Sequence, residues 1–270
     1  MTAPFLNRVR QLAAPHGVEH VGGLSLEGMP LLAQARHKIP SQARSAVMLL
    51  FPYYTGPLPQ RNISRYAAIP DYHIVAMDIL KEICIALAQE YPDGLFVPLI
   101  DSSPIPEVWA AAACGLGVVG RHGMLIHPEY GSYVFIGEIL TDLELEPAGK
   151  VQSCIDCGAC AVRCPGAAIT QGVQRERCLS HLTQKKGELP PEIRELMKQE
   201  HTCWGCDACL ENCPMNRTNP TPIRGFYEDT IPQLTEETLP RLLEHACGWR
   251  GEGVLRRNLE VLEPLQLNEK

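Results

Sequence analysis

The pattern that most constrains this chain is a pair of cysteine runs, each with the spacing C-x2-C-x2-C-x3-C-P. The first begins at Cys154 and the second ends at Pro214, and this stretch holds nine of the twelve cysteines. The spacing is that of bacterial ferredoxins, in which the fourth cysteine of each run binds the cluster of the other run. The sequence therefore predicts a ferredoxin-like domain with two 4Fe–4S clusters.

Because the fourth cysteine of each run binds the cluster of the other run, the spacing assigns most of the cluster ligands. Cluster 1 takes Cys154, Cys157, Cys160 and Cys213, and cluster 2 takes Cys164, Cys206 and Cys209. The remaining ligand of cluster 2 is either Cys203, which the regular spacing favours, or the lone Cys178. A zinc site needs only four ligands, and a disulfide framework is typical of short secreted chains, so both alternatives fit the runs poorly. The last cysteine of each run is expected to start a short helix, with the following proline fixing the turn.

Length and charge narrow the class of protein. The chain has 270 residues, is 45% hydrophobic and carries a net charge of −7, so it can bury a sizeable core and shows no strongly basic character. The N-terminus lacks the uninterrupted apolar segment of a signal peptide, and no run is long enough to span a bilayer. Cysteines that bind clusters must stay reduced, which is typical of proteins in a reducing compartment. We therefore expect a cytoplasmic protein that does not contact the membrane.

Hydrophobic periodicity predicts strands mixed irregularly with helices, which indicates an α+β fold. The predicted strands are residues 18–26, 45–51, 95–100, 124–127 and 133–140. The predicted helices are residues 5–14, about 74–91, 107–114, 190–199, 235–246 and 252–262. An acidic segment with proline and glycine, residues 142–150, is the expected linker. We therefore predict an α+β domain over residues 1–147, the double-cluster domain over 148–220 and a short helical tail over 221–270.

Two short motifs suggest other cofactors but lack the required context. Residues 115–120 match G-x-G-x-x-G, yet they follow an alanine-rich helix, whereas a Rossmann fingerprint follows a strand. We interpret these glycines as the end of that helix before a strand. Asp71-Tyr72-His73 is similar to the start of a D-x-H corrinoid motif, but Ala76 occupies the position where that motif needs glycine. His73 is therefore expected at a helix start or in a pocket lining, not as a cobalt ligand.

Several blocks of sequence occur together in a family-specific order. They are ISRYA-x3-DYH, a strand ending in D-S-S-P, A-x-GLG-x2-G-[RK]-H, GSYVFIGEILTD, RCLSHLTQKKGELP between the cysteine runs and C-P-x-N after them. Over about residues 5–217 the chain resembles epoxyqueuosine reductase, a cobalamin- and iron–sulfur-dependent enzyme of queuosine-tRNA maturation that is related to the reductive dehalogenases. The resemblance implies a nitroreductase-like, corrinoid-binding first domain. The chain ends about 55 residues after Cys213, so we expect a short form without the family's helical-repeat extension.

The resemblance also implies cofactors, partners and site residues. It implies base-off cobalamin with no protein histidine on the cobalt, tRNA as the substrate, and a low-potential electron donor such as ferredoxin or flavodoxin. Asp101 matches the catalytic acid, and partial desolvation under a corrin would raise its pKa. The implied cobalamin-binding positions are Arg65, Tyr66, His122, Leu125, Ile136 and Ser180. The resemblance makes Cys178 the fourth ligand of cluster 2 in place of Cys203.

Alternatives remain for both the residues and the function. Asp101 followed by Ser-Ser-Pro is also a good helix N-cap sequence, Arg65 could be a surface arginine, and Tyr66 could be a core tyrosine. The same chemistry could act on a small molecule instead of tRNA. A different class of function is plain electron transfer through two clusters, with the first domain serving only to dock partners.

Overall fold

The computed structural model of the protein describes residues 2–262. Within these residues there are six strands: β1 (Val21–Ser25), β2 (Ser45–Pro52), β3 (Phe96–Ile100), β4 (Val118–Val119), β5 (Leu125–Ile126) and β6 (Val134–Thr141). The α-helices are α1 (Thr2–Ala13), α2 (Arg65–Ala68), α3 (Tyr72–Glu90), α4 (Glu107–Ala113), α5 (Ala159–Arg163), α6 (Leu179–Thr183), α7 (Pro191–Gln199), α8 (Ala208–Glu211), α9 (Leu239–Leu242) and α10 (Glu252–Leu262). The predicted strands and the longer predicted helices are thus present, with ends shifted by a few residues.

Backbone contacts divide the chain into two compact units. The sheet unit comprises the segments up to Thr55, Tyr72–Asp156 and Met215–Phe226. The cluster unit comprises Gly56–Asp71, Cys157–Pro214 and the segment from Tyr227 onward. The predicted domain boundaries at 147 and 220 stay predictions. Residues 263–270 of the predicted tail lie outside the described residues.

The sheet unit is built on a four-stranded antiparallel sheet in the order β1-β2-β6-β3. All eight residues of β2 are buried, and because successive side chains point to opposite faces, both faces of this strand are covered. The alanines of α4 share a hydrophobic cluster with Met48 and Ile136. Phe51 and Leu80 meet over Gly137, where an added Cβ would lie 2.6 Å from the Phe51 ring. The predicted α+β class is confirmed.

The glycine motif after α4 ends a helix, as the sequence analysis predicts. Gly115 adopts φ 78°, a left-handed conformation that glycine reaches without strain. The chain then enters β4, which pairs with β5 in a two-stranded ribbon. No strand precedes the motif directly, so it lacks the strand–turn–helix geometry of a dinucleotide-binding fold.

The cluster unit contains short helices at equivalent positions in the two cysteine runs. Helices α5 and α8 each contain the third cysteine of a run, and the two helices pack against each other. The prediction that the fourth cysteine starts a helix was wrong. Cys164 instead follows the end of α5 with an extended backbone (φ −70°, ψ 115°). The physical reason is Pro165, because a residue that precedes proline is excluded from the helical region.

The tail helices belong to the hydrophobic core of the cluster unit. Leu239 and Leu255 are buried in one cluster with Ile63 and Trp204. The prediction for residues 252–262 is confirmed by α10, whereas residues 235–246 form only the four-residue α9. The longer helix does not form because His245 has an extended backbone (ψ 171°) and its ring contacts the carbonyl oxygen of Ala67 at 3.3 Å.

One buried amide on α10 ties the tail to the rest of the cluster unit. The Asn258 side chain is fully buried, and its Nδ2 donates to the carbonyl oxygens of Thr183 (2.8 Å) and Cys203 (2.6 Å). We expect Asn258→Ala to lower the free energy of unfolding by about 2–4 kcal/mol, because two buried hydrogen bonds are lost, although the Thr183 carbonyl still accepts from Arg257. Urea denaturation measures the change. Arg256→Ala, on the exposed face of the same helix, serves as the control with an expected loss below about 1 kcal/mol. Equal losses for the two variants would contradict the role of Asn258.

Candidate active site and cluster ligands

The structure brings together four cysteines of the predicted second cluster. Burial raises the pKa of Cys206 to about 12, with smaller contributions from the neighbouring thiols of Cys178 and Cys164. Burial likewise raises the pKa of Cys209 to about 12, and Cys206, Cys178 and Cys164 all contribute. Electrostatic effects of this kind act between neighbouring groups, so Cys164 and Cys178 both lie near Cys206 and Cys209.

Cys203 has a different environment. It is fully buried in the hydrophobic cluster that includes Trp204 and Leu255, and its Sγ contacts the carbonyl oxygen of Asn258 at 3.8 Å. A thiol in this setting behaves as a small core residue. The arrangement favours the ligand set implied by the family resemblance over the one favoured by spacing, and the assignment of Cys178 stays a prediction.

The cysteines of the predicted first cluster fall in both units. Cys154 belongs to the sheet unit, whereas Cys157, Cys160 and Cys213 belong to the cluster unit. The backbone N–H of Arg121 donates to the Cys154 Sγ at 3.4 Å. In the second set, the N–H of Ala168 donates to the Cys164 Sγ at 3.2 Å. Hydrogen bonds to cluster sulfurs are one of the means by which proteins set cluster potentials.

No group of three or more His, Cys, Asp or Glu side chains within residues 2–262 converges as it would on a single metal ion. A cubane cluster spreads its four cysteines over four irons, so its ligands do not meet at one point. The chemistry of the donor set, with four neighbouring thiols and no carboxylate or imidazole among the predicted ligands, suits iron–sulfur clusters.

Asp101 lies just after β3, with its backbone in a left-handed conformation (φ 53°). Its Oδ2 lies 3.2 Å from Nε2 of His73, in the first turn of α3. The N-cap interpretation of Asp101 was wrong, because α4 begins only at Glu107 and Pro106 occupies its N-cap. A non-glycine residue with positive φ costs energy and is common at functional positions. The prediction that His73 lies at a helix start is confirmed.

The rise in the pKa of Asp101 was expected under a bound corrin, and it stays a prediction. The hydrogen bond from His73 lowers the pKa of Asp101, and this effect outweighs the opposing effect of burial. The side chain is still 59% exposed, so desolvation is incomplete. Asp101 is therefore ionised at neutral pH unless a proton is delivered to it.

The effect of His73 on Asp101 can be measured directly. We expect His73→Leu to raise the pKa of Asp101, because both the hydrogen bond and the imidazole charge are removed. His73→Gln should raise the pKa less, since the glutamine amide can still donate a hydrogen bond. Carbon-detected NMR titration of the Asp101 carboxyl gives the values. An unchanged pKa in His73→Leu would show that another group holds the carboxylate in its ionised form.

Two further carboxyl groups near Asp101 were not predicted from the sequence, and each has one buried oxygen without a hydrogen-bond partner among the described residues. Glu138 on β6 is fully buried, and the Ser103 hydroxyl donates to its Oε2 at 2.5 Å. Burial raises the pKa of Glu107, in the first turn of α4, to about 9, with smaller contributions from the charges of Glu138 and Asp101. The available signal was a glutamate inside the otherwise apolar segment YVFIGEIL, which forms a strand in the interior of the sheet.

The three predicted cobalamin positions of the sheet unit are all buried. Leu125 and Ile136 lie in one hydrophobic cluster. The Nδ1 of His122 accepts a hydrogen bond from the N–H of Met124 at 3.2 Å, and burial lowers the pKa of His122 to about 4. The neutral ring therefore carries its proton on Nε2, and this atom is buried with no hydrogen-bond partner among the described residues.

Each of the three predicted cobalamin-binding residues of the cluster unit, Arg65, Tyr66 and Ser180, takes part in a hydrogen bond. The Tyr66 hydroxyl accepts from Trp204 Nε1 (2.9 Å) and from Gln184 Nε2 (3.3 Å), and Gln184 Nε2 also donates to the Ser180 carbonyl oxygen (2.9 Å). Burial raises the pKa of Tyr66, as the core-tyrosine interpretation predicts. Arg65 is not a surface residue, because its side chain is only 12% exposed and its Nη1 donates to the carbonyl oxygen of Gly56.

A buried ion pair beside the second cysteine run was also missed. Arg61 Nη1 lies 3.1 Å from Oδ2 of Asp207, whose side chain is 4% exposed. These two residues, Cys206 and Glu211 line an open cavity of about 320 Å³ in the cluster unit. The available signal was an aspartate directly after Cys206, since a carboxylate buried in a cysteine run requires a cationic partner.

Comparison with known proteins identifies the family. The model for "epoxyqueuosine reductase QueG, DUF1730" matches residues 35–102, and that for "4Fe-4S double cluster binding domain" matches residues 153–216. The epoxyqueuosine reductase of Synechocystis sp. is 35% identical over 232 residues, which cover 80% of this chain and 78% of that protein. The chain belongs to the epoxyqueuosine reductase family. The epoxyqueuosine reductase of Lactococcus garvieae is 33% identical over 213 residues and is longer, so the match covers 73% of this chain and 60% of that protein.

Solved structures of the epoxyqueuosine reductase family share the fold. The enzyme from Streptococcus thermophilus matches with a TM-score of 0.79 and 26% identity, over 97% of this chain and 81% of that one. An epoxyqueuosine reductase solved with an epoxyqueuosine-modified tRNA stem loop has a TM-score of 0.79 and 22% identity, over 96% of this chain and 80% of that one. Within residues 2–262, no helix combines the length and apolar character required to cross a membrane.

Proposed function

We propose that this chain is a cobalamin-dependent iron–sulfur reductase that reduces epoxyqueuosine in tRNA to queuosine. The observation that carries the proposal is membership of the epoxyqueuosine reductase family together with a double-cluster binding domain over residues 153–216. A second support is an exposed carboxylate in a strained backbone conformation at Asp101. The solved relative with a modified tRNA stem loop makes tRNA the first substrate to test.

The reaction fixes what the protein must supply. Opening an epoxide to an alkene breaks two carbon–oxygen bonds and releases the oxygen as water, so each turnover needs two electrons and two protons. A low-potential donor such as ferredoxin or flavodoxin would supply the electrons through the two clusters. Cobalamin held by the residues named below would supply a strongly reducing centre for this reaction. Asp101 is the proposed donor of a proton to the reacting oxygen.

The residues of the chain fit the proposed cofactors. The proposed cluster ligands are Cys154, Cys157, Cys160 and Cys213 for cluster 1, and Cys164, Cys178, Cys206 and Cys209 for cluster 2. The proposed cobalamin-binding residues are Arg65, Tyr66, His122, Leu125, Ile136 and Ser180. The buried Nε2–H of His122 fits a corrin ring edge, which carries amide side chains that accept hydrogen bonds, better than it fits cobalt. This is consistent with base-off cobalamin without a protein histidine on the metal.

Turnover with two substrates tests the proposal. The anaerobically reconstituted protein is supplied with cobalamin, a low-potential reductant and either epoxyqueuosine-containing tRNA or the free nucleoside. Mass spectrometry of the nucleoside then detects loss of one oxygen. Conversion in tRNA supports the proposal, and conversion of the free nucleoside alone would assign a small-molecule substrate. Cobalamin binding without conversion of either substrate would contradict it, and failure to bind cobalamin would leave plain electron transfer.

A further inference from the structure

We propose that Lys38 is a positioning residue for Asp101, and that it acts by fixing the backbone of the loop that carries this carboxylate. The inference rests on the proposed function, in which Asp101 donates a proton to the reacting oxygen of the substrate. The loop comprises residues 101–105, between β3 and α4. All of the contacts that carry the inference lie within the sheet unit.

The loop begins with a backbone conformation that costs energy. Asp101 has φ 53°, in the left-handed region, where a residue with a Cβ atom is strained. Such a conformation persists when the surrounding structure holds it in place. The Asp101 side chain is largely exposed, so packing of this side chain supplies little of that support. Contacts made by the rest of the loop therefore have to supply most of it.

A short segment earlier in the chain supplies two of these contacts. Lys38 Nζ donates to the carbonyl oxygen of Ser102 at 2.5 Å and to the Ser102 Oγ at 2.9 Å. The N–H of Leu32 donates to the carbonyl oxygen of Pro104 at 2.7 Å. We call residues 32–38 the clamp segment. It includes one short 3-10 helix, which Lys38 ends.

Lys38 is the member of the clamp segment that acts closest to Asp101. Ser102 follows Asp101 directly, and Lys38 holds two different atoms of Ser102. Fixing this residue at two atoms restricts the torsion angles through which Asp101 could leave the left-handed region. Both hydrogen bonds come from an ammonium group, and hydrogen bonds from a charged donor are stronger than those between neutral groups.

Another contact anchors the loop to the sheet but is less suited to a test. The Ser103 hydroxyl donates to the buried carboxyl group of Glu138 on β6 at 2.5 Å. Replacing either partner would disturb the interior of the sheet unit, so a loss of activity would have two explanations. Lys38 is exposed, and its replacement therefore releases the loop without removing a part of the core.

The charge of Lys38 also reaches the Asp101 carboxylate. The hydrogen bond from His73 is the main cause of the lowered pKa of Asp101, and the charge of Lys38 has a smaller effect in the same direction. His73 lies on α3, whereas Lys38 lies on the clamp segment. Two separate elements therefore bring cationic or hydrogen-bonding groups to Asp101 and to the residue that follows it.

The effect of Lys38 on the loop can be measured without turnover. The experiment is hydrogen–deuterium exchange of the full chain with both clusters bound, read at the N–H of Leu32, which bonds to Pro104. We expect Lys38→Met to speed this exchange by about 5- to 20-fold, because the loop opens more often. Lys38→Arg keeps a cationic donor and should restore most of the protection. Lys81→Met removes an exposed ammonium that pairs with Asp78 on α3, and it should leave the exchange unchanged.

Kinetics then test the effect on Asp101. We expect Lys38→Met to lower kcat by about 5- to 30-fold and to change KM by less than about twofold, because the proton donor is misplaced while substrate binding is retained. Lys38→Arg should recover most of the rate, and Lys81→Met should behave as wild type. Carbon-detected NMR should show a higher pKa of Asp101 in Lys38→Met, with a smaller rise than in His73→Leu.

Three results would overturn the inference. They are unchanged exchange of Leu32 in Lys38→Met, an equal loss of rate in Lys81→Met, and a rise in KM with kcat unchanged, which would assign Lys38 to substrate binding. Lack of turnover by the wild type would refute the proposed function instead. The exchange experiment would still decide whether Lys38 holds the loop.

Discussion

Replacing Cys178 with alanine is expected to halve the iron and sulfide of the reconstituted protein, from about eight to about four of each per chain. The physical reason is that the Cys178 thiol lies among those of Cys164, Cys206 and Cys209. A cubane deprived of one of its four thiolates leaves one iron open to solvent and is lost under mild oxidation. Iron and sulfide analysis, with electron paramagnetic resonance of the reduced protein, measures how many clusters remain.

Cys203→Ala is the matched control for this experiment, because it also removes one thiol from a cysteine run. We expect both clusters to be retained and the free energy of unfolding to fall by about 1 kcal/mol, since a buried sulfur is removed from a hydrophobic cluster. The opposite pattern, with cluster loss in Cys203→Ala and full occupancy in Cys178→Ala, would establish the regular ferredoxin spacing and contradict the ligand set proposed here.

Asp101→Asn is expected to lower the rate of epoxyqueuosine reduction by about 10²- to 10⁴-fold, while iron, sulfide and cobalamin contents stay unchanged. Asparagine keeps the size of the side chain and can still form a hydrogen bond with His73, but it cannot donate a proton to the leaving oxygen. Single-turnover kinetics with pre-reduced enzyme measure the effect on the chemical step and separate it from electron supply.

Asp78→Asn provides the control for Asp101→Asn. Asp78 is an exposed aspartate in the same sheet unit, and its carboxylate pairs with Lys81 at 3.1 Å on the surface of α3. This variant should retain wild-type rates. Turnover of Asp101→Asn within a factor of about two of wild type would remove Asp101 from the role of proton donor.

The parts of the fold that depend on local sequence were predictable. Apolar periodicity located the helix that ends at Glu90 and the helix Glu252–Leu262, and the glycines after Ala113 marked a helix end. The helix that we expected to begin at Cys164 does not form, because Pro165 excludes that residue from the helical region. This outcome could have been predicted from local sequence. The shortened helix near His245 had no local signal, because a contact with Ala67 determines its backbone.

The candidate site shows where local sequence carries too little information. Spacing favoured Cys203, whereas the family resemblance and the tertiary neighbours of Cys206 and Cys209 favour Cys178. The pKa of Asp101 depends on His73, which lies 28 residues earlier in the chain, so its direction could not be obtained from the strand that precedes Asp101. The coupling of Glu107 to Glu138 likewise requires the packing of α4 on the sheet.

The central claim is that one chain holds two iron–sulfur clusters and a corrinoid. The most direct test is the iron, sulfide and cobalt content of protein purified anaerobically in the presence of cobalamin. We expect about eight irons, about eight sulfides and about one cobalt per chain. Protein that carries both clusters but retains no cobalt, with no corrinoid bands in its visible spectrum, would contradict the account and leave an electron-transfer protein in its place.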